Sequence, residues 1–353
     1  MKKNAGRLSK KVFAAMMAGT MMTAMVGVNV SATDNSGVYT GTEIPISKTV
    51  TTDGNTYAPA TTFNFSVQTA NAGKYGEDVV YAGEENGLTV ESGIQFQPGS
   101  SVSASYTNST NLIVHLEEFD DPGIYHYTVR ETIPDEEDRY EGIIYDSAVY
   151  DVYVYIVTDD AGTLSVGNVV SVKDGTKGNL SFTNDYGAGK ENDSTHDVTI
   201  TKDVTGNQGD RDALFAFNVS VNGATGEAYK ILVKETSSST AEEYKYTVGD
   251  DAIEVSIKDG GSIQIFGLSE SDTYTVTEAD YSDDGYTTKV NDEIGNTATG
   301  TLTEDGTAVI VENYKQADTP TGIAMTYGPY ALMVALAGGM AVLFFRRRNR
   351  EDY

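Results

Sequence analysis

Three residue types with complementary chemistry recur in one order along this chain. A lysine, a glutamate and an asparagine occur in the first part of the sequence and again in the second. The two sets are Lys48, Glu131 and Asn184, followed by Lys202, Glu278 and Asn313. Any one of them alone would be an ordinary polar residue at a strand end. The repeated order of three types is what suggests a shared chemical role.

A lysine amine beside an asparagine amide can displace ammonia and form an isopeptide bond. In water this reaction is slow, because the amine is protonated and the amide is a poor electrophile. Burial lowers the pKa of a lysine and favours the neutral nucleophile. A buried glutamate has a raised pKa, so as a neutral acid it could hydrogen-bond the amide oxygen and pass protons to the leaving ammonia. Glu131 and Glu278 are the candidates for this role, although the carboxyl groups of residues 135–137 leave the first choice slightly open.

Each candidate residue lies in or ends a segment in which apolar and polar residues alternate, which is the pattern of a half-buried strand. The paired segments are 44–50 and 198–204, 63–67 and 215–219, 127–131 and 274–278, and 180–184 and 309–313. A first and a last strand lying side by side would bring each lysine to its asparagine. Phenylalanines in these segments would supply the apolar surroundings; they are Phe63, Phe65, Phe182, Phe215 and Phe217.

Short strands between Gly, Asn and Asp turns predict an all-β chain of two tandem Ig-like β-sandwich domains. The predicted domains are residues 33–185 and 197–315, joined by a polar, glycine-rich linker at 186–196. Residues 150–157 carry apolar residues on both faces, so we expect the second face of this strand to be partly covered. No helix is expected outside the two ends, apart from the option of a short helical turn within residues 68–110.

Composition excludes several classes of function. The 353 residues carry a formal net charge of −28, which repels nucleic acid and anionic lipid. The three histidines, His115, His126 and His196, lack metal-ligand spacing, and no nucleophile or phosphate-loop motif occurs. We therefore predict no metal, no cofactor and no turnover enzyme. An exported chain without cysteine must gain stability from something other than disulfides.

Both ends of the chain have the pattern of export and anchoring signals. Residues 1–32 combine a basic start, an apolar stretch and a small-residue exit, which predicts a secretory signal peptide; an uncleaved anchor is the alternative. Residues 323–345 form an apolar stretch long enough to cross a bilayer, and a basic cluster follows it. A plain single-pass anchor would share these features. The residues before the stretch are Thr319, Pro320, Thr321 and Gly322.

This C-terminal segment, residues 316–353, resembles a sortase sorting signal. It keeps Pro320, Thr321 and Gly322 but lacks the Leu and the intervening residue of the usual Leu-Pro-x-Thr-Gly. The shorter form resembles that of some streptococcal-type major pilins. The repeated Lys, Glu, Asn order is similar to that of the CnaB-type isopeptide-linkage domains of these pilins, over nearly the whole chain. The resemblance implies bonds between Lys48 and Asn184 and between Lys202 and Asn313, with the second copy the closer match.

The resemblance also implies a function. The chain would be the structural backbone subunit of a Gram-positive pilus (fimbrium), polymerised by a class C-type pilin sortase that attacks the Thr321 carbonyl. The acyl group would pass to a lysine of the next copy. The family places this acceptor before the last strand of the first domain, where Lys177 aligns best and Lys173 is the second choice. The Tyr-Pro-Lys box of other pilin families is absent.

The expected partners follow from this role. They are other copies of the chain, minor pilins, peptidoglycan reached through a sortase and, as an option, a host-surface ligand for adhesion. The protein would be secreted and wall-anchored, with transient membrane retention through residues 323–345. The alternative is a wall-anchored adhesin or minor pilin whose isopeptide-stabilised domains form a stalk, with a binding loop in the long stretch 68–126.

Overall fold

The structure of the chain is a computed structural model that describes residues 36–187, 195–303, 306–317, 330–337 and 340. Residues 36–187 are called the first half and residues 195–317 the second half; from Gly37 onward, both belong to one compact unit, Gly37–Tyr353. The predicted signal peptide at 1–32 lies outside the described residues. Residues 330–337 are helical. Within the described part of the chain, no helix has the length and apolar character needed to cross a bilayer.

Strands dominate both halves, as the alternating pattern predicts. The first half contains β1 (Val38–Tyr39), β2 (Glu43–Thr51), β3 (Thr62–Thr69), β4 (Gly73–Tyr75), β5 (Asp78–Ala82), β6 (Leu88–Val90), β7 (Ile94–Gln95), β8 (Ser105–Val114), β9 (Gly123–Thr132), β10 (Ile143–Ile144), β11 (Val149–Thr158), β12 (Leu164–Lys173), β13 (Thr176–Lys177) and β14 (Ser181–Tyr186). The second half contains β15 (His196–Thr205), β16 (Phe215–Asn222), β17 (Ala228–Lys234), β18 (Glu242–Thr247), β19 (Ile253–Ile257), β20 (Ser262–Leu268), β21 (Thr273–Glu278), β22 (Thr287–Val290), β23 (Glu293–Ile294), β24 (Thr297–Gly300) and β25 (Thr307–Tyr314).

The described strands of each half form two sheets around one main hydrophobic core. In the first half the larger sheet has the order β1-β12-β11-β9-β3-β7, with β13, β4 and β5 attached, and the smaller has the order β10-β14-β2-β8-β6. In the second half the orders are β18-β17-β20-β15-β25-β22-β23 and β19-β16-β21-β24. Inward-facing residues of both sheets of a half fill its core.

The first and last strands of each half lie side by side and run parallel. In the first half β14 pairs with β2, with Phe182 opposite Lys48. In the second half β25 pairs with β15, with Val311 opposite Lys202. Because parallel strands cannot be joined by a tight turn, each pair closes a long loop of chain.

The strands β14 and β25 run in opposite directions relative to the other half of the unit. Tyr186, the last residue of β14, hydrogen-bonds Glu227 of the second half, so β14 runs toward the second half. Thr195, just before β15, lies against Thr56 of the first half, so β15 and its parallel partner β25 run away from the first half. The start of β14 and the end of β25 therefore lie at opposite ends.

The second face of β11 is partly covered, as its sequence predicts. Val80, Tyr153, Val170 and Val172 form a small separate apolar cluster, and Tyr75 stacks on Tyr153 at 4.4 Å between ring centroids. Tyr75 and Val80 come from the hairpin of β4 and β5. This hairpin lies across the outer face of the larger sheet of the first half.

The optional helical turn within residues 68–110 is absent from that stretch, which is described throughout. Strands β4 to β8 occupy it, separated by turns in which Gly76 and Asn86 have positive φ. Short 3-10 turns occur instead at Leu116–Glu118 and Glu136–Asp138. This stretch forms short strands because residues with positive φ end an extended segment and favour a tight turn between neighbouring strands.

Candidate functional site

The two lysines face the hydrophobic cores because of strand alternation. In β2, Lys48 is in phase with the buried residues Ile46 and Val50, and it is 0% exposed. In β15, Lys202 is in phase with Ile200 and Val204 and is 1% exposed. A lysine is almost never fully buried unless it is paired. Each position therefore demands a partner inside the core.

The two asparagines come from the parallel neighbours of these strands. Asn184 lies opposite Val50 in β2, and Asn313 lies opposite Val204 in β15. In both pairs the asparagine is offset from the lysine by two residues, so both side chains lie on the same inward face. Both asparagines are 0% exposed. The register is the same in the two halves.

The glutamates come from the facing sheets. Glu131 ends the buried row of β9 and lies opposite Phe65 of β3. Glu278 ends the buried row of β21 and lies opposite Phe217 of β16. The carboxyl groups thus reach across the core toward the lysine and asparagine. The nearby carboxyls at Glu136–Asp138 lie on a 3-10 turn without buried residues, which leaves Glu131 as the carboxyl in contact.

In the first half, Glu131 bridges the other two side chains. Lys48 Nζ donates a 2.6 Å hydrogen bond to Glu131 Oε2, and Asn184 Nδ2 donates a 2.8 Å hydrogen bond to Glu131 Oε1. The carboxyl group therefore contacts both the amine and the amide nitrogen. The amide oxygen of Asn184 instead accepts a 2.7 Å bond from the backbone N–H of Asp146. The expected contact between the carboxyl group and the amide oxygen is not the one formed.

In the second half the same three residues meet with looser geometry. Lys202 Nζ lies 3.5 Å from Glu278 Oε1, and Asn313 Nδ2 donates a 3.1 Å hydrogen bond to the same oxygen. Lys202 Nζ also donates to the backbone oxygens of Asp203 and Val311, at 3.0 and 3.1 Å. The hydroxyl of Thr288 donates a 3.3 Å bond to Glu278 Oε2.

Aromatic rings surround both sites as the sequence indicates. Lys48 Nζ lies 4.8 Å from the centroid of the Phe63 ring, and Lys202 Nζ lies 4.7 Å from that of Phe215. Phe65 and Phe182 contact each other across the first core at 5.0 Å between centroids. These rings exclude water, which is the condition for shifted pKa values.

Burial shifts the pKa values of both pairs in the same sense. Loss of solvent is the largest effect: it lowers the pKa of Lys48 and raises the pKa of Glu131, and the attraction between the two groups acts against both shifts. The pKa of Lys202 is lowered and that of Glu278 raised for the same reason. Both shifts favour a neutral amine facing a neutral acid. The arrangement can therefore supply a nucleophile and a proton donor next to an amide.

Comparisons with known proteins found a family model for each half of the chain and a curated relative. Residues 44–187 match the family model of the Spy0128-like isopeptide containing domain, and residues 196–315 match a domain of unknown function, DUF7601. A curated pilin of Streptococcus pyogenes serotype M1 is 28% identical over 264 residues, which are 71% of this chain and 75% of that protein. The chain is a homologue of streptococcal pilins.

Two solved structures extend the likeness of this pilin homologue to the fold. The major pilin from Streptococcus pyogenes has a TM-score of 0.57 at 22% identity. The match covers 79% of this chain and 100% of that pilin. The major pilin protein T3.2 of the same species has a TM-score of 0.54 at 25% identity, with 80% of this chain covering 100% of it. The pilus tip adhesin Cpa of Streptococcus pyogenes is 33% identical over 132 residues, which are 36% of this chain and 18% of the adhesin.

The two acceptor candidates of the pilin homologue lie on one hairpin. Lys177 is exposed in β13 and lies opposite Val172, while the half-buried Lys173 ends β12. Asp174 and Gly175 form the turn with φ of 50° and 74°, the conformation of a two-residue hairpin loop. Lys173 Nζ lies 5.6 Å from the centroid of the Tyr150 ring, whereas Lys177 extends from the edge of the sheet. Lys177 is the more accessible of the two.

Other predicted sites of the pilin homologue cannot be placed in the fold. The sorting residues Thr319, Pro320, Thr321 and Gly322 lie outside the described residues, as does most of the apolar stretch 323–345.

The three histidines lie on β9, on β15 and beside a 3-10 turn. The described residues contain no group of three or more His, Cys, Asp or Glu side chains that could hold a metal.

Sequence reasoning missed Asp146 and Thr288, which donate hydrogen bonds to Asn184 and Glu278. Asp146 lies in the connection between β10 and β11, and its contribution is a backbone N–H, which carries no side-chain signal. Thr288 lies opposite Asn313 on β22 and has the ordinary appearance of a strand threonine. What the two residues share is their place in the fold. Thr288 lies on β22 and Asp146 follows β10, and each of these strands pairs with the strand that carries the asparagine.

Proposed function

We propose that this chain is the shaft subunit of a covalent, sortase-assembled pilus and that each half is stabilised by an internal Lys–Asn isopeptide bond. The observation that carries the proposal is the buried contact of lysine, glutamate and asparagine, repeated at the same register in both halves of a streptococcal pilin homologue. The bonds would join Lys48 to Asn184 and Lys202 to Asn313. Both would connect the first strand of a half to its last strand.

The internal reaction is a single self-modification and not turnover. In the first half a proton moves from Lys48 Nζ to Glu131, and the neutral amine attacks Cγ of Asn184. Glu131, which contacts both nitrogens, gives that proton to Nδ2 as the Cγ–Nδ2 bond breaks and ammonia leaves, and its carboxylate then takes the second proton from Nζ, so that a neutral amide remains. The fixed geometry replaces the entropy cost of bringing amine and amide together. Glu278 has the same role for Lys202 and Asn313.

A filament requires a donor and an acceptor at opposite ends of the subunit. Lys177 precedes β14, which runs toward the second half, whereas Thr321 follows β25, which runs away from the first half. A sortase would form an acyl bond to Thr321 and transfer it to the amine of Lys177 on the next copy, releasing the segment from Gly322 onward. With the end of β25 and Lys177 apart, we expect successive copies to join head to tail.

The terminal segments complete the proposed pathway. Residues 1–32 would direct export, residues 323–345 would hold the subunit at the membrane until the sortase acts, and a sortase would link the finished pilus to peptidoglycan. Minor pilins would occupy the ends of the filament, where contact with a host-surface ligand would support adhesion. The tension on the shaft would pass through the internal bonds and not through the hydrogen bonds of the sheets.

The internal bonds are tested by the intact mass of purified residues 33–321. The expected mass is lower than the sequence mass by two molecules of ammonia. The full sequence mass would overturn the cross-link proposal, and the loss of one ammonia would show that one triad has been misassigned. Digestion and fragment masses would identify which lysine and asparagine are joined.

The polymer is tested in the native host by probing wall extracts for a high-molecular-weight ladder. Lys177→Ala together with Lys173→Ala is expected to abolish the ladder, while Lys74→Ala, on the exposed β4 hairpin, leaves it intact. A ladder that persists in the double variant would exclude this hairpin as the acceptor. If the wild-type chain gives no ladder, the alternative of an anchored adhesin or minor pilin is correct.

A further inference from the structure

The amide oxygen of Asn184 has a partner that the basic mechanism does not use. The backbone N–H of Asp146 donates to Asn184 Oδ1 at 2.7 Å. This is the atom on which negative charge would develop when an amine attacks the amide carbon. Backbone donors at about 2.7–3.1 Å from such an oxygen are the usual means of stabilising a tetrahedral intermediate.

The side chain of Asp146 holds this N–H in place. Its Oδ1 accepts a 2.8 Å bond from the N–H of Ala148, two residues further along, which closes a local turn. Its Oδ2 accepts a 2.8 Å bond from the N–H of Thr183, the residue before Asn184 on β14. The carboxyl group therefore ties the loop that carries the donor to the strand that carries the amide.

The second site differs at this point. Asn313 Oδ1 is buried and has no hydrogen-bond partner among the described residues. The strand that lies beside the asparagine there, β22, contributes the Thr288 hydroxyl to Glu278 and not a donor to the amide oxygen. The two sites thus share the lysine, glutamate and asparagine but not the oxygen donor.

We propose that the backbone N–H of Asp146 is the oxyanion donor for isopeptide formation in the first half, held in place by its own carboxyl group, and that the first bond consequently forms faster than the second. This inference rests on the proposed cross-linking function. Asp146 N–H is the catalytic group because it touches the reacting oxygen, and the Asp146 carboxyl group is a positioning group.

The step balances without an added reactant. The Lys48 Nζ–Asn184 Cγ bond forms and the electron pair of the carbonyl moves to Oδ1, which accepts the hydrogen bond that the Asp146 N–H donates. The pair returns as the Cγ–Nδ2 bond breaks. Glu131 takes the proton released by Nζ and supplies the proton that Nδ2 needs to leave as ammonia.

The N–H of Asp146 would speed the reaction, whereas the negative charge of its carboxyl group would slow it by favouring the protonated amine of Lys48. Asp146 is one of the charges that raise the pKa of Lys48, although burial outweighs it. Removing that charge would favour the neutral amine and speed the attack. A slower reaction after loss of the Asp146 side chain therefore reports positioning of the N–H and not electrostatics at the lysine.

The experiment follows both bonds in the same molecules. The full chain is made in a cell-free translation pulse, samples are quenched in acid at intervals, and digests are measured by mass for each cross-linked peptide pair. Three variants are compared with wild type: Asp146→Ala, Asp146→Asn and Asp146→malate, the last replacing the backbone N–H by an ester oxygen while keeping the side chain. The second bond in each molecule is the matched control for folding.

In wild type, the first bond is expected to form at least several-fold faster than the second. Asp146→malate is expected to slow the first bond about a hundredfold, as for loss of one oxyanion donor. Asp146→Ala should slow it about tenfold, and Asp146→Asn should be intermediate, because Asn can still accept from Ala148 N–H. The rate of the second bond should stay unchanged.

Each outcome separates this inference from the proposed function. If both bonds form but the malate variant leaves the first rate unchanged, the oxyanion role is wrong and the cross-linking function stands. A faster first bond in Asp146→Ala would also overturn the inference in favour of a purely electrostatic role. If neither bond forms in wild type, the proposed function itself fails.

Discussion

The hydroxyl of Tyr186, the last residue of β14, donates a 2.7 Å hydrogen bond to the carboxyl group of Glu227, which lies in the second half. Both side chains are buried, with exposures of 2% and 4%. Tyr186 therefore ends the strand that carries Asn184 and also joins the two halves. A buried bond of this kind makes the junction part of the folded structure and not only a tether.

Tyr186→Phe tests this link. The variant keeps the ring but leaves the buried Glu227 without one donor, which is expected to lower the free energy of unfolding by about 1–3 kcal/mol. Guanidinium unfolding followed by circular dichroism measures the change. The matched control is Tyr150→Phe, whose hydroxyl donates to the backbone oxygen of Ser181 within the first half. Separation of the unfolding transitions of the two halves in Tyr186→Phe alone would confirm the junction role, whereas equal behaviour of both variants would contradict it.

A second carboxyl group makes this junction sensitive to pH. The hydroxyl of Tyr229 donates to Glu227 Oε2 at 2.8 Å and also hydrogen-bonds Asp272, which is 1% exposed. One hydroxyl hydrogen cannot serve two carboxylates, so a proton on Asp272 satisfies the second contact. Burial, followed by the nearby Glu227, raises the pKa of Asp272 to about 7, and Glu141 adds to the rise while the N–H of Ser269 opposes it.

The sign of the pH dependence follows from linkage. Because the folded pKa lies above the usual value of 3.8, the folded state holds more protons than the unfolded state between about pH 4 and pH 7. Protonated Asp272 therefore contributes its full stabilisation below pH 4. This stabilisation is lost as the pH rises through 7, and the free energy of unfolding falls by a total of the order of 4 kcal/mol. Asp272→Asn is expected to flatten this part of the profile, measured by guanidinium unfolding at a series of pH values. Asp283→Asn, at an exposed position, is the control and should keep the wild-type slope; the same slope in Asp272→Asn would disprove the assignment.

The internal bonds should contribute more than any of these contacts. Each closes a loop of over one hundred residues, for which the chain-entropy relation used for disulfides gives roughly 5 kcal/mol. Lys48→Met and Lys202→Met keep an apolar chain of similar length, so each should remove one ammonia loss and lower the free energy of unfolding by about that amount. Intact mass and guanidinium unfolding measure the two effects. Lys230→Met is the control, because Lys230 is also partly buried and paired but belongs to neither triad; it should retain both ammonia losses.

Alternation and repetition were enough to predict the triads. The phase of β2 places Lys48 with Ile46 and Val50, and the phase of β9 places Glu131 with Val129, so both face the core whatever the details of packing. A shared inward face requires an even offset between lysine and asparagine, and the structure shows that this offset is two residues. The choice of Glu131 over residues 135–137 needed the structure, since only the end of β9 decides which carboxyl group is buried.

Contacts that depend on a loop or on the junction could not be predicted in this way. Asp146 acts through a backbone N–H whose direction is set by a turn, and turns have no period. Tyr186 and Glu227 come from different halves, and Tyr186 was expected to begin a polar linker, whereas it is buried as the last residue of β14. Strand patterns specify which face of one sheet is buried but not which surfaces of two cores meet.

Gly223 lies directly against the side chains of Tyr229 and Asp272, next to the junction between the two halves. A Cβ atom added at this residue would lie 2.0 Å from the Tyr229 hydroxyl and 2.7 Å from Asp272 Oδ1, closer than any real contact. Gly223→Ala is therefore expected to push Tyr229 away from Glu227 and to lower the free energy of unfolding by about 1–3 kcal/mol. Gly295→Ala is the matched control, since a Cβ there meets nothing within 4 Å, and it should change stability by less than about 0.5 kcal/mol. Because the clash displaces the hydroxyl that Asp272 contacts, Gly223→Ala should also weaken the fall in stability between pH 4 and 7. A destabilised variant that keeps the full wild-type pH profile would show that Tyr229 does not couple the two carboxyl groups.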